Sequence, residues 1–426
     1  MSELYTGECI RISNGSRIRV IEELGRGGQG IVYRVDLNGT EMALKWYFDH
    51  PGKDFRRNLE YNVNHKSPSP SFLWPKYLTD VVRGSFGYVM DLRPLGYFEF
   101  GKFLCAKVRF KSEYARLVAA LKICDGFKYL HLEGYSYQDL NDGNFFINQN
   151  TGDVLICDND NVSPQGENTG IIGKVRYIAP EIVVGKKMPD KYTDRYSLTV
   201  ILFLLFFHNH PLEGKKVHDC PCLTESKAKS LYGSDATFIY DDADKTNRPV
   251  PGLDVNVINR WPSYPKFVRE VFKKEFSKEI MFDNPTRRKL DEEWKKTILA
   301  MTDHLMLCPH CHNYFYGDVT RDEQKCECGH VFTPYSKLVI GKRTIPLTEN
   351  KTILLQTDSE HFVTSVQKKD NNVAPIWVSN TLHEPIYVTT TKGEIRTINP
   401  NESFPAKKGL KFAVNIANNQ IKGEII

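Results

Sequence analysis

The stretch that most constrains this chain is Tyr137-Gln138-Asp139-Leu140-Asn141-Asp142-Gly143-Asn144, followed by Ile156-Cys157-Asp158-Asn159-Asp160. It sets three oxygen-bearing side chains in order: Asp139, Asn144 and Asp158. A carboxylate such as Asp139 can take a proton from a hydroxyl. An amide oxygen and a second carboxylate suit Mg²⁺, a hard cation that prefers oxygen ligands and needs only one or two carboxylates besides phosphate. Short apolar runs flank Asn150-Thr151-Gly152-Asp153 and predict a hairpin that brings Asn144 and Asp158 together. The alternative is an acidic loop that merely caps helices, so the decision rests on the remaining motifs.

Those motifs begin near the N-terminus. Residues 17–50 predict strand, turn, strand, turn, strand, and Gly25, Gly27 and Gly30 between the first two fit G-x-G-x-x-G. The spacing alone is weak, because a dinucleotide-binding turn shares it. That turn opens a helix, whereas Ile31–Val35 has β propensity and leads to Asn38-Gly39, a hairpin signal. Glycines in such a loop let backbone N–H groups approach phosphate. The third strand carries Ala43-Leu44-Lys45, and a helix is expected over about 54–64. Tyr88–Arg93 predicts a further strand, and residues 112–133 place Leu117, Leu121, Cys124, Phe127 and Leu130 at helical spacing.

These motifs, with Ala179-Pro180-Glu181, Asp194 and Arg288 after them, resemble in order those of eukaryotic-type (Hanks-type) protein kinases over residues 17 to about 298. The resemblance implies an α+β, bilobal fold over 1–303, with an N-lobe of 1–92, a C-lobe of 93–303 and an insertion at about 208–262. It implies an ATP-dependent transfer to protein Ser/Thr hydroxyls. Gly25, Gly27, Gly30, Val32, Ala43, Met90, Asp91 and Leu92 would then surround the nucleotide, with Met90 as gatekeeper and the backbone of Asp91 and Leu92 at adenine. Lys45 would hold the phosphates and pair with Glu60, or with Asp54, on the following helix. Asp139 would serve the acceptor hydroxyl, and Asn144 and Asp158 would hold Mg²⁺ or Mn²⁺. Asp194 would anchor the catalytic loop, and Arg288 would pair with Glu181.

The chain departs from the family pattern in three places. Tyr137 and Gln138 replace the His-Arg of the catalytic loop, and without that Arg a phosphorylated activation segment loses its clamp, which predicts activity independent of phosphorylation there at Ser163 or Thr169. Asn141 replaces the γ-phosphate lysine, and Lys174 is expected to supply the missing charge from the activation segment. Asn159 and Asp160 replace the Phe-Gly after the metal aspartate, and Asp160 is expected to stiffen that loop by resisting positive φ and to alter how Mn²⁺ or a second Mg²⁺ binds. A nucleotide-binding pseudokinase scaffold is the competing reading. Loss of Lys45, Asp139 or Asp158 would favour it, and all three are present. A small-molecule kinase is a third, opposed by the complete Ala-Pro-Glu segment.

Beyond the kinase-like region, Cys308, Cys311, Cys326 and Cys328 have the spacing of a structural zinc ribbon over 304–336, with His310 and His330 as substitute ligands. Cys220 and Cys222, near His208, His210 and His218, read as ordinary loop thiols. Residues 337–426 contain short strands separated by turns such as Lys392-Gly393, which predicts a small β-sandwich. It faintly resembles a forkhead-associated domain, but the Gly-Arg and Ser-x-x-His phosphothreonine elements are not evident. Kinase, ribbon and β module together resemble the kinase of the bacterial tellurite-resistance-associated triad, which implies a PP2C-type phosphatase and a von Willebrand A protein as partners.

Composition narrows the setting. At 426 residues the chain exceeds one core, and 41% hydrophobic with 26% charged residues is ordinary for a globular protein. A net charge of +5 without a block of like charge gives no reason to expect nucleic acid. The run Leu198–Phe207 is short of the ~20 residues that cross a bilayer. The N-terminal residues lack the features of a signal peptide, and scattered cysteines suit a reducing compartment. A cytoplasmic protein with no membrane partner is expected.

Overall fold

The computed structural model describes residues 3–49, 51–168, 170, 172–355, 361–366 (as backbone), 376–416 and 419–426. The first lobe is an antiparallel sheet of six strands in the order β1-β2-β3-β4-β6-β5. These are β1 (Cys9–Arg11), β2 (Arg17–Arg26), β3 (Gly30–Leu37), β4 (Thr40–Tyr47), β5 (Tyr77–Leu78) and β6 (Gly87–Asp91), with helix α1 (Lys53–Asn64) after β4. The β2–β3–β4 meander is the strand-turn-strand-turn-strand expected from the sequence. Alternation in β2 and β3 sends Ile18, Val20, Ile31, Tyr33 and Val35 to one buried cluster. Register pairs Val32 with Lys45 and Ala43 with Met90, which sets the glycine-loop strand, the lysine strand and the last N-lobe strand side by side.

The second lobe is helical. Its long helix, Glu113–Leu132, starts where the Ser112 hydroxyl accepts the Ala115 N–H at 3.1 Å. The apolar helix Lys191–Phe207 opens on a capping box at Asp190, and its side chains from Thr193 to Phe207 are buried. Burying each Leu or Phe there contributes roughly 1.5–3 kcal/mol. Among the described residues, no helix is long and apolar enough to cross a membrane. Residues 208–262 join the lobe's core: Tyr240 stacks on Trp261 at 4.4 Å, and Phe238 stacks on Phe276 at 5.1 Å.

The helix Asp291–His304 leads directly into the strand Leu305–Leu307, which pairs with Tyr314–Tyr316. A second hairpin pairs Gln324–Lys325 with Val331–Phe332. The C-terminal part then forms a six-stranded and a four-stranded antiparallel sheet, beginning at Ser336. Leu338, Ile345, Val414 and Ile425 of the larger sheet share one apolar core with Ile353, Ile376, Val378 and Phe404 of the smaller. This module is fastened to the helical lobe, since Arg343 forms a bidentate pair with Asp303 at 2.6 and 2.8 Å.

Candidate active site

The site lies where β3 and β4 face the loops following the long helix. At the glycine loop, the Gly27 N–H donates to Gly30 O at 2.9 Å and closes the turn. Only Gly30 is forced by packing: a Cβ there would lie 2.1 Å from Trp46 O, whereas one on Gly25 would meet open space. Val32 and Leu92 pack with buried Ala43, Met90 and Cys157 in one apolar cluster, and Phe146 and Leu155 join it from the other lobe. Phe146 and Leu155 line this face unanticipated by the sequence reading. The signal was available: both lie on the predicted hairpin, and Phe146 sits two residues after Asn144. Arg93 covers the Phe146 ring at 4.1 Å. Asp91 is held by Lys76 at 2.5 Å.

The catalytic loop is anchored from below as expected. Asp194 is buried, and its carboxylate accepts the backbone N–H of Tyr137 at 2.7 Å and of Gln138 at 3.1 Å. His131 bridges Asp194 and Asp291 at 3.3 and 2.8 Å. Burial opposes charging His131, but these carboxylates prevail and hold its pKa up at about 9. The Tyr137 hydroxyl donates to Cys157 O, which ties the catalytic loop to the metal loop. Arg288 meets Glu181 in a bidentate pair at 2.7 and 2.8 Å, again as expected.

Asp139 accepts Asn141 Nδ2 at 3.3 Å. Burial raises its pKa, against the pull of Lys174 and the Asn141 hydrogen bond. Lys174 Nζ donates to Asn141 Oδ1 at 2.8 Å. Close approach of the activation segment needs Gly173, whose φ is +90°; a Cβ there would lie 3.1 Å from Gln138 O. The β-hairpin Phe145–Asn148 and Val154–Ile156 brings Asn144 and Asp158 together, with Asn144 Nδ2 at 3.5 Å from Asp158 Oδ2. Asn144 Oδ1 accepts the Asn141 N–H at 2.7 Å and keeps a second lone pair. Asp158 offers a carboxylate that is 44% exposed. This oxygen donor set fits Mg²⁺.

Two expectations are corrected here. Glu60 does not meet Lys45: it is exposed and pairs with Arg56 on its own helix at 3.1 Å, and Asp54 pairs with Arg57 at 3.2 Å. The reason is helix register. The buried side of α1 is Phe55, Asn58, Leu59 and Asn62, and Glu60 sits about 100° round the helix from Leu59. Lys45 Nζ instead lies 2.8 Å from Asp160 and 3.2 Å from Asp158. The second correction concerns Asp160 itself. Positive φ falls on Asp158 (φ 55°), which as an Asp tolerates it, and Asp160 lies within the short 3₁₀ turn Asn159–Asn161. No glycine-like conformation is asked of Asp160.

Gln138 has a role that the sequence did not reveal. It is buried, and its Nε2 donates to Ser136 Oγ, Ser163 Oγ and Glu167 O, while its Oε1 accepts Asn168 Nδ2 at 3.1 Å. Ser163 is buried in this network. Thr169 lies outside the described residues.

A protein kinase domain model matches residues 18–278, more than half of the chain. The chain belongs to the protein kinase family. It is 27% identical over 213 residues to a putative serine/threonine-protein kinase/receptor of Acanthamoeba polyphaga mimivirus, covering 47% of this chain and 13% of that protein. It is 26% identical over 210 residues to the serine/threonine-protein kinase SAPK9 of Oryza sativa subsp. japonica (47% and 56%). It is 24% identical over 234 residues to the serine/threonine-protein kinase ppk16 of Schizosaccharomyces pombe (52% and 34%). The chain therefore spans less than two thirds of the length of each of these relatives.

Outside the kinase domain, Cys308, Cys311, Cys326 and Cys328 converge, their sulfurs all within 4.8 Å of one another. Cys308–Cys328 and Cys311–Cys326 are 3.8 and 3.7 Å apart. Zn–S bonds of ~2.3 Å at tetrahedral angles demand sulfurs ~3.8 Å apart, so the set fits a four-thiolate ion site. His310 and His330 stack on each other at 5.2 Å and are not part of the group. Cys220 and Cys222 gather no third ligand among the described residues; His218 pairs with Asp254 and His210 with Arg176 O.

Proposed function

We propose that this chain transfers the γ-phosphate of ATP to protein Ser/Thr hydroxyls. The observation that carries the reading is the convergence of Lys45, Asp139, Asn144 and Asp158, each on an element braced by buried hydrogen bonds. ATP supplies the phosphoryl group, and Asn144 with Asp158 would hold Mg²⁺ or Mn²⁺. Lys45 orients the phosphates, and Asp139 takes the proton from the acceptor hydroxyl. Its raised pKa makes it a better base than a free carboxylate. Lys174 adds positive charge on the acceptor side. Catalysis is then alignment and charge neutralisation of an in-line transfer. The names of the Ser/Thr kinase relatives support the choice of acceptor.

We further propose that transfer does not require phosphate on the activation segment. The amide network of Gln138 supports this, because it fills with neutral hydrogen bonds the place where the family's Arg clamps a phosphate. The four cysteines would hold structural Zn²⁺ in a ribbon domain near 304–336, ahead of a sandwich module at about 337–426. That domain order supports a PP2C-type phosphatase and a von Willebrand A protein as partners. The scattered cysteines Cys9, Cys105, Cys124 and Cys157 support a reducing, cytoplasmic setting.

The test is phosphoryl transfer from labelled ATP with Mg²⁺ or Mn²⁺, on the protein itself and a generic acceptor, comparing wild type with Asp139→Asn. Label that depends on Asp139 and appears as phosphoserine or phosphothreonine is expected, unchanged by prior phosphatase treatment. Stabilisation by ATP without transfer would leave a nucleotide-binding scaffold instead.

A further inference from the structure

We propose that Asp160 is the counter-ion that positions Lys45, taking over in this chain the work of a helix carboxylate; the inference rests on the phosphotransfer reading above. Lys45 is buried and has two carboxylates within reach, Asp160 Oδ2 at 2.8 Å and Asp158 Oδ1 at 3.2 Å. The two are not equivalent. The Asp158 side chain is 44% exposed, and its other oxygen accepts Asn144 Nδ2 at 3.5 Å. The Asp160 side chain is 0% exposed, and the oxygen that meets Lys45 also accepts the Tyr47 hydroxyl at 2.6 Å. Tyr47 stands two residues beyond Lys45 on β4, and Phe55 of α1 packs edge-on against it at 5.5 Å. Asp160 therefore receives a cation and a hydroxyl from the same strand, and it keeps that partnership when Asp158 is given over to a metal.

Helix α1 offers nothing that competes. Its acids face away, and its inward polar positions are the amides Asn58 and Asn62, each donating to Val162 O at 2.8 Å. In kinases with a helix glutamate, swinging the helix breaks the lysine ion pair and so controls activity. Here the helix is tied to the loop by neutral amides, and the charge pair runs from strand to loop. Helix position and lysine charge pairing are carried by different residues. A buried ammonium without its partner is costly, so Lys45 is held for catalysis whenever the metal loop is in place. Asp160 is a positioning residue: it acts through Lys45.

Two readouts test this. The first is thermal melting of the nucleotide-free protein in a double-mutant cycle of Lys45→Met and Asp160→Asn. Each single variant is expected to lower the melting temperature, and the double variant to lose less than the sum. If Asp160→Asn alone does not fold, the double variant, which removes both charges, is expected to fold. Additive losses, or a double variant that fails to fold, would overturn the proposal. The second is steady-state kinetics: Asp160→Asn is expected to lower kcat about 10–100-fold with the KM for ATP changed less than about threefold, as for a group that aligns phosphates without binding adenine. Asp160→Glu should recover part of the loss, and Glu60→Gln should stay within about twofold of wild type. Asp160→Asn at wild-type kcat, or an equal loss in Glu60→Gln, would overturn it. If the wild type transfers no phosphate, the proposed function fails, and the melting cycle still decides whether Asp160 is the counter-ion of Lys45.

Discussion

Below the catalytic cleft, Asp194 holds the backbone of Tyr137 and Gln138, and Arg288 meets Glu181, as in the family pattern. Above the cleft, the expected partner Glu60 does not meet Lys45; Asp160 does. The difference lies in what each role demands. The lower anchors are buried charges whose partners are backbone groups or a bidentate guanidinium, and such geometry admits few substitutes. The upper pair needs only a negative charge beside an ammonium. A carboxylate arriving from the metal loop meets that need as well as one arriving from a helix.

This contrast can be broken experimentally. The largest effect is expected from Arg288→Ala, which leaves Glu181 without its partner at a side-chain exposure of 13%. Breaking a buried pair in this way costs about 3–5 kcal/mol, read as a shift in the denaturant midpoint. A loss below about 1 kcal/mol would mean that the lower anchor is as replaceable as the upper one.

A second effect follows from His131, buried between Asp194 and Asp291. Its pKa rises from an ordinary 6.5 to about 9 on folding. The protonated ring thus contributes stability that is fully present below about pH 6.5 and is lost as pH rises through 9. At about 1.36 kcal/mol per unit this amounts to roughly 3 kcal/mol. Unfolding free energies measured from pH 6 to pH 10 should fall by that order, and His131→Asn should flatten the profile. An unchanged slope in the variant would detach His131 from the anchor.

The smallest effect sharpens the upper half of the contrast. Glu60 and Arg56 form an exposed i,i+4 pair, worth about 0.3–0.5 kcal/mol. Glu60→Gln should therefore change stability by no more than a few tenths of a kcal/mol, measured by urea denaturation. A loss of several kcal/mol would show that Glu60 carries a buried charge role.

How much of this was legible in the sequence depends on where each role is written. Asn144 and Asp158 flank one short hairpin whose geometry is set by local backbone, so their approach was legible, whereas the meeting of Lys45 with Asp158 across more than a hundred residues was implied only by the resemblance in motif order. The four cysteines were legible for the same reason, as two turns each carrying a pair. Glu60 was chosen because it was an acid on the right helix, yet the inward stripe Phe55, Asn58, Leu59 and Asn62 was readable at i, i+3, i+4 and i+7 and points away from it. Asp160 gave no such signal. In Asn159-Asp160-Asn161 nothing distinguishes a fully buried aspartate from a solvated one, because its burial is decided by Lys45 and Tyr47, more than a hundred residues earlier. Gln138 was read as a missing arginine; its hydrogen bonds to Ser163 and Glu167 depend on where the activation segment lies. Residues 356–360, 367–375 and 417–418, within the predicted sandwich, lie outside the described residues.

The central claim is that Lys45 takes its charge partner from the loop that carries Asp158. Its most direct test is an experimental structure of the protein with a non-hydrolysable ATP analogue and Mg²⁺. The account predicts Asp158 on the metal and Lys45 Nζ still within hydrogen-bonding distance of Asp160, with Glu60 at the surface. A complex in which Lys45 leaves Asp160 and pairs with Glu60 would contradict it.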